Sequence, residues 1–169
     1  MLMMKLIVAG GIVGVCTMLG IFKSKKYETR ELILRESILL FSGIENEIKY
    51  SLTTLPNAIE MVRQNMKTML KEVLGAISTN MLEGKCESND TYCELDNLTE
   101  LTSYDKQIIS QGLSMLGTSD VDGETGVIRL TISNLESQLM DATENKKKNS
   151  KLYKTVGMAT GLMIAIVFI

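Results

Sequence analysis

Histidine and tryptophan are absent from this 169-residue sequence, and proline occurs once, at Pro56. Without histidine the chain lacks the most frequent general base of enzymes and the commonest metal ligand. A single proline leaves few forced breaks, so the sequence can support long helices. These absences weigh against catalytic and metal-binding functions and favour an all-helical chain.

Cysteine is also scarce, with Cys16, Cys86 and Cys93 the three in the chain. Cys86 and Cys93 have no further cysteine or histidine nearby with which to complete a four-ligand zinc site. If the middle of the chain is cytoplasmic, free thiols are favoured over a disulfide because that compartment is reducing. No metal site and no cofactor are predicted.

Candidate chemistry is limited to carboxylate pairs, namely Glu45 with Glu47, Asp120 with Asp122, and Glu83 with Glu87. Residues two apart do not face each other on a helix, and the third pair lies in a weakly patterned stretch. Phosphate-binding glycine loops are missing as well, because the N-terminal glycines lie within an apolar run. The sequence therefore predicts no catalytic residue and disfavours a hydrolase.

Two uncharged stretches lie near the ends of the sequence, at residues 6–22 and 156–169. As helices they would measure about 26 Å and 21 Å, against a hydrocarbon thickness of about 30 Å. Adding Leu152 and Tyr153, with Lys154 reaching back to the headgroups, lengthens the second to spanning length. We predict membrane helices at 6–22 and 152–169, with residues 1–5 extracytoplasmic; a signal peptide is the alternative for the first.

Basic residues flank the inner end of each apolar run and predict the orientation of the chain. By the positive-inside rule, both flanks belong in the cytoplasm, which places residues 23–151 there as a helical domain. We call these nine residues the collar and expect them at the membrane surface: Lys23, Lys25, Lys26, Arg30, Lys146, Lys147, Lys148, Lys151 and Lys154.

Small residues recur at four-residue spacing in both apolar runs, a pattern that lets membrane helices approach closely. We expect them to form a packing seam with the other anchor or with another subunit, including a second copy in a homo-oligomer. They are Gly10 and Gly14 in the first run and Gly157, Gly161 and Ala165 in the second.

Between the anchors, apolar residues at three- and four-residue spacing predict a bundle of four to six helices. The first extends to about Tyr50, and the second begins at Thr54 and continues to Gly75 or somewhat past it. Thr102 and Asp105 have the spacing of a capping box before a third helix, which Gly117 ends. A long last helix is predicted to start after a Ser119 cap and to lie antiparallel to the first.

This last helix has an apolar stripe, and its acidic residues, Glu124 among them, are expected to face water. Residues 36–144 contain 18 acidic and 7 basic residues, a balance of −11. An acidic solvated surface is the simplest interpretation, although a basic partner could use the same field. Nucleic-acid binding is disfavoured by this charge and by the lack of an aromatic-basic face.

Several short motifs resemble those of the stage III sporulation protein AB family of endospore-forming bacteria. They are Glu45-Asn46-Glu47-Ile48-Lys49-Tyr50, Thr54-Leu55-Pro56, Leu116-Gly117-Thr118-Ser119-Asp120, Lys151-Leu152-Tyr153-Lys154, Val156-Gly157 and Gly161-Leu162. The resemblance covers nearly the whole chain. The sequence departs from the family pattern at residues 123–126, where two glycines replace a helix-favouring stretch. These glycines would favour a break near the start of the last helix.

The resemblance implies a membrane platform, similar to that of type II secretion and type IV pilus machines. Such a platform would lie in the mother-cell (outer forespore) membrane and would dock a sporulation ATPase and other channel subunits. A different class of function remains as an alternative, namely a membrane-anchored regulatory module whose acidic middle binds a soluble partner.

Overall fold

The computed structural model describes the backbone of residues 2–51, 53–84, 92–117 and 121–150, and of residues 152, 155, 156, 159 and 163. Side chains are described from residue 24 onwards within these ranges, except at residues 121 and 150, and also at Met18. The described residues form five α-helices and no strand. The predicted all-α class is therefore confirmed.

The helices are α1 (Leu2–Asn46), α2 (Leu55–Arg63), α3 (Leu70–Leu82), α4 (Ser103–Ser114) and α5 (Val121–Asn145). A π-helical turn follows each of the two longest helices, at Glu47–Ser51 and Lys146–Ser150, and a 3₁₀ helix spans Cys93–Asn97. The chain divides into two compact units. Unit 1 contains Met1–Glu31 and Asp141–Ile169, and unit 2, here called the body, contains Leu32–Met140.

The predicted membrane spans fall mainly on residues whose side chains lie outside the described set. The backbone of residues 6–22 belongs to α1, whereas most of residues 152–169 lie outside the described residues altogether. Among the described residues, no helix combines the length and the apolar character needed to cross a bilayer.

In the body, α1, α4 and α5 meet at Gly112. A Cβ atom at this position would lie 2.7 Å from Phe41 Cζ on α1 and 2.7 Å from Thr131 Cγ2 on α5. Glu45 follows Phe41 by one turn of α1, and its Oε1 lies 3.5 Å from Nε of Arg129. Arg129 precedes Thr131 on α5. Within the body, α1 and α5 are therefore antiparallel, as predicted.

The predicted apolar faces form the core of the body. Leu34, Phe41 and Ile44 of α1 are fully buried, and so are Ile128 and Leu135 of α5. The weakly patterned stretch before α4 also contributes, because its three leucines are all buried: Leu95, Leu98 and Leu101. The helical periodicity thus identified the inward faces of α1 and α5 within the body, whereas Met69, predicted on the apolar face of the second helix, is 61% exposed.

The helix predicted from Thr54 to beyond Gly75 is wrong, because the structure divides it into α2 and α3. Lys67 and Thr68, between the two helices, donate their backbone N–H groups to the Glu36 carboxylate of α1, at 2.8 and 3.2 Å. The Thr68 hydroxyl also donates to Glu36, and its oxygen accepts the N–H of Leu70 at 3.3 Å. These donors bind side-chain oxygens, so the α-helical ladder is interrupted here.

The capping box before α4 is confirmed. Thr102 Oγ1 accepts the N–H of Asp105 at 3.1 Å, and Asp105 Oδ2 accepts the N–H of Thr102 at 2.9 Å. The chain leaves α4 through Gly117, whose φ of +82° suits a residue without a side chain. The predicted Ser119 cap lies outside the described residues.

Glu124 does not face water as expected, because it is 8% exposed and its Oε1 accepts the Gly117 N–H at 2.8 Å. This N–H lies just after the end of α4, and the carboxylate of Glu124 on α5 satisfies it. The glycines at residues 123–126 leave α5 unbroken, since it begins at Val121.

Candidate membrane collar and interaction surfaces

The collar residues whose side chains are described all belong to unit 1. Lys25 and Lys26 are exposed on α1, and Arg30 is half-buried one turn further on. Lys147 and Lys148 are exposed on the π-helical turn after α5. The side chain of Lys23, and Lys151 and Lys154 entirely, lie outside the described residues.

One collar residue has a role that the sequence analysis missed. Lys146 Nζ donates to Glu31 Oε2 at 2.8 Å, linking the end of α5 to α1 across 115 positions in sequence. The Glu31 side chain is 9% exposed and that of Lys146 37%. A carboxylate this buried needs a cationic or hydrogen-bonding partner, so the pair joins the two basic flanks within unit 1.

Only a weak signal for this pair is present in the sequence. Glu31 follows the basic group that ends at Arg30, and an acidic residue at a predicted membrane surface is unexpected. Its partner could not be identified, because several lysines of the second flank were equivalent by pattern.

The structure describes only part of the predicted packing seam. Gly10 and Gly14 lie in α1, whereas Gly157, Gly161 and Ala165 lie outside the described residues. The seam stays a prediction.

A small charged cluster on the body joins the end of α1 to α5. Lys49 Nζ donates to Glu45 Oε1 at 2.8 Å, and the Arg129 guanidinium lies beside the same oxygen. The Lys49 hydrogen bond, and then the Arg129 charge, lower the pKa of the Glu45 carboxyl below its ordinary value, although partial burial opposes them. Glu45 is thus an ionised structural contact between helices.

The other carboxylate pairs considered as candidate chemistry are not assembled into a site. Glu47 accepts from the Thr53 hydroxyl at 3.3 Å, so Glu45 and Glu47 have different partners. Asp122 and Glu83 are exposed, and their companions Asp120 and Glu87 lie outside the described residues. Among the residues whose placement is given, no group of three or more Cys, Asp or Glu side chains could hold a metal ion.

Two concave surfaces of the body could receive a partner. One is a polar groove of about 380 Å³ between the 3₁₀ helix and α4, where Lys106 Nζ donates to the Asp96 carbonyl at 3.0 Å. Most of its lining residues are of polar type, among them Ser103, Gln107, Ser110 and Gln111 from α4. This chemistry suits a hydrogen-bonding ligand or a polar peptide.

The second concave surface is an apolar groove of about 380 Å³ between α1 and the α2–α3 connection. Leu39, Val62 and Met66 line it together with Glu36 and Lys67. Leu39 is 64% exposed, whereas its neighbours Leu40 and Phe41 on α1 are fully buried. A groove lined by apolar side chains with a few charged ones is typical of a protein–protein contact.

Comparison with known proteins identifies the family. The sequence profile described as Stage III sporulation protein AB (spore_III_AB) matches residues 5–169. A relative of Bacillus subtilis (strain 168), named Stage III sporulation protein AB, is 25% identical over 168 residues, which is 97% of this chain and 98% of the relative. The motifs quoted above thus belong to a match that extends along nearly the whole sequence.

A solved structure supports the fold. A chain described as Stage III sporulation protein AB superposes with a TM-score of 0.62 at 19% identity, covering 71% of this chain and 98% of the other. The family takes its name from a stage of sporulation and not from a catalytic activity, and it implies a role in sporulation. This chain belongs to the stage III sporulation protein AB family.

Proposed function

We propose that this protein is a non-enzymatic membrane platform of a secretion-like sporulation complex between mother cell and forespore. Two membrane helices would anchor residues 23–151 at the cytoplasmic face of the mother-cell (outer forespore) membrane. The body would then dock a cytoplasmic ATPase and other channel subunits, as the resemblance to platform proteins of secretion machines implies.

The observation that carries this proposal is the Glu31–Lys146 contact at 2.8 Å. It brings together the two basic flanks, each of which borders one of the uncharged runs in the sequence. Two anchors that begin side by side would hold the chain at two points and prevent it from rotating freely about a single membrane helix. A platform that positions an ATPase needs this kind of fixed mounting.

The body supplies surfaces suited to docking, and this supports a protein-binding function. The apolar groove around Leu39 and the polar groove around Ser110 lie on different helices, so two partners could bind without sharing contacts. The balance of −11 over residues 36–144 would favour a partner with a basic surface.

Site-directed photo-cross-linking in sporulating cells tests the docking. A photoreactive residue is placed at Leu39 in the apolar groove, at Ser110 in the polar groove, and at Glu136 on the exposed side of α5 as a control. We expect the ATPase to be recovered from at least one groove position and not from Glu136. Recovery of no ATPase from either groove, in cells where the chain is membrane-inserted and complexes form normally, would contradict the docking.

A separate experiment tests the proposal that the protein is not an enzyme. Replacing Glu45, Glu47, Asp120 and Asp122 together by their amides should leave spore formation at the level of the parent strain when the variant accumulates normally. A loss of spores with normal protein levels and normal complex assembly would point to chemistry at these carboxylates.

A further inference from the structure

The collar of unit 1 contains charges of two kinds. Lys146 is neutralised by the buried Glu31. Lys25, Lys26, Lys147 and Lys148 are exposed, and no carboxylate among the described residues forms an ion pair with them. Four ammonium groups thus remain available for an anionic ligand.

On both helices, exposed lysines lie nearer to the uncharged run than the carboxylates do. On α1, Lys25 and Lys26 precede Glu28 and Glu31, and on the α5 side Lys147 and Lys148 follow Glu144 and Asp141. Glu31 and Lys146 are in contact, which fixes the relative height of the two helices within unit 1. Lys25 and Lys26 lie five or six residues nearer to the uncharged run than Glu31, about 8 to 9 Å at 1.5 Å per residue.

We infer that these four lysines bind the phosphate headgroups of anionic phospholipids. The inference rests on the proposed membrane anchoring. A free phosphate offers the same chemistry, but the lysines adjoin both uncharged runs, where a lipid headgroup would be present at high local concentration. Each lysine near an anionic leaflet contributes up to about a fivefold factor in binding.

Lipid selectivity of the full-length chain in lipid nanodiscs tests the inference. The probes are spin-labelled phosphatidylglycerol and spin-labelled phosphatidylcholine, and the measurement is their relative association with the protein. We expect a preference for phosphatidylglycerol that falls at least about twofold in Lys25→Gln/Lys26→Gln and in Lys147→Gln/Lys148→Gln. In about 1 M sodium chloride, where the Debye length is about 3 Å, the preference should disappear.

Two control variants separate this role from a general charge effect. Lys67→Gln/Lys71→Gln removes the same charge from the body and should leave the preference unchanged. Glu31→Gln releases Lys146 from its partner and should leave the preference equal or raise it. An unchanged preference in both collar variants, or an equal loss in the body variant, would overturn the inference.

The source of the phosphate group is tested by competition. Sodium phosphate and sodium chloride at equal ionic strength should reduce lipid selectivity equally; a much stronger effect of phosphate would indicate a free-anion site and contradict a lipid-binding surface. Extraction of natural membranes with alkaline carbonate distinguishes the two proposals. Release of the chain would overturn both, whereas a retained chain without lipid preference would overturn only this one.

Discussion

The Glu36 carboxylate of α1 accepts the backbone N–H of Thr68 at 3.2 Å, 32 positions away in sequence. It also accepts the N–H of Lys67 at 2.8 Å. A single side chain of α1 thus binds the backbone of the α2–α3 connection. It also lines the apolar groove, so it connects the geometry of that groove to α1.

Replacing Glu36 by alanine should destabilise the body by about 1–2 kcal/mol, because two backbone N–H groups and the Thr68 hydroxyl lose their acceptor. The free energy of unfolding can be measured by urea denaturation of the full-length protein in a mild detergent, followed by circular dichroism. Glu136→Ala is the matched control, since Glu136 is exposed on α5 and should change stability by less than about 0.5 kcal/mol. Equal stabilities of the two variants would show that the Glu36 contacts are unimportant.

The contacts of Glu36 also show why some parts of the fold can be predicted from the sequence and others cannot. The capping box of α4 joins residues three apart, so Thr102 and Asp105 could be identified from spacing alone. The break between α2 and α3 depends on a carboxylate more than thirty residues away, and the apolar spacing continues across it without interruption. Local periodicity therefore predicted one helix where tertiary contacts produce two.

The partners of buried or paired charged residues are likewise set by tertiary contacts and not by local pattern. Glu124 occupies a polar position in the pattern of α5, yet it is buried because the Gly117 N–H requires an acceptor. Lys146 was predicted as one of several equivalent basic residues, yet it pairs with Glu31. Charge patterns predicted the collar, whereas the pairing within it depends on how the helices are placed.

Gly112 should not tolerate even a methyl group. In Gly112→Ala the new Cβ would lie 2.7 Å from Phe41 Cζ and from Thr131 Cγ2, and Phe41 is fully buried. We expect a loss of about 1–3 kcal/mol in unfolding free energy. Gly126→Ala makes the same substitution in α5 with no atom within 4 Å of the new Cβ. It should stabilise the protein by about 0.5–1 kcal/mol, and destabilisation of similar size in both would refute the packing argument.

Glu45 should make stability depend on acidity. Its pKa is lowered from the ordinary 4.5, first by the Lys49 hydrogen bond and then by Arg129. The folded state therefore favours the ionised form, so the stabilisation is present above pH 4.5 and is lost as the pH falls through the lowered pKa.

Glu45→Gln lacks this titration, and its stability deficit relative to the parent should shrink as the pH is lowered from about 6 towards about 3, a range that brackets the ordinary pKa of 4.5. The deficit at pH 6 should be below about 1 kcal/mol, because Arg129 is 70% exposed and solvent screens the pair. A deficit that is constant across this pH series would contradict the assignment.

Thr102→Ala should cost about 1 kcal/mol, because the Asp105 N–H loses its acceptor and the fully buried Asp105 loses half of the reciprocal cap. Ser103→Ala, at the exposed neighbouring position, is the control and should be nearly neutral. Thermal unfolding of both variants measures the difference in stability. A Thr102→Ala protein as stable as the control would mean that the cap contributes little.

We propose that the middle of the chain lies inside the cell, between two membrane helices, and thiol labelling of Cys93 can test this topology. The side chain of this cysteine is exposed. In a Cys16→Ser/Cys86→Ser variant it becomes the single thiol, which a membrane-impermeant maleimide can label in intact and in opened cells. We predict labelling only after the cells are opened. Labelling of Cys93 in intact cells would contradict the topology, and the docking of a cytoplasmic ATPase with it.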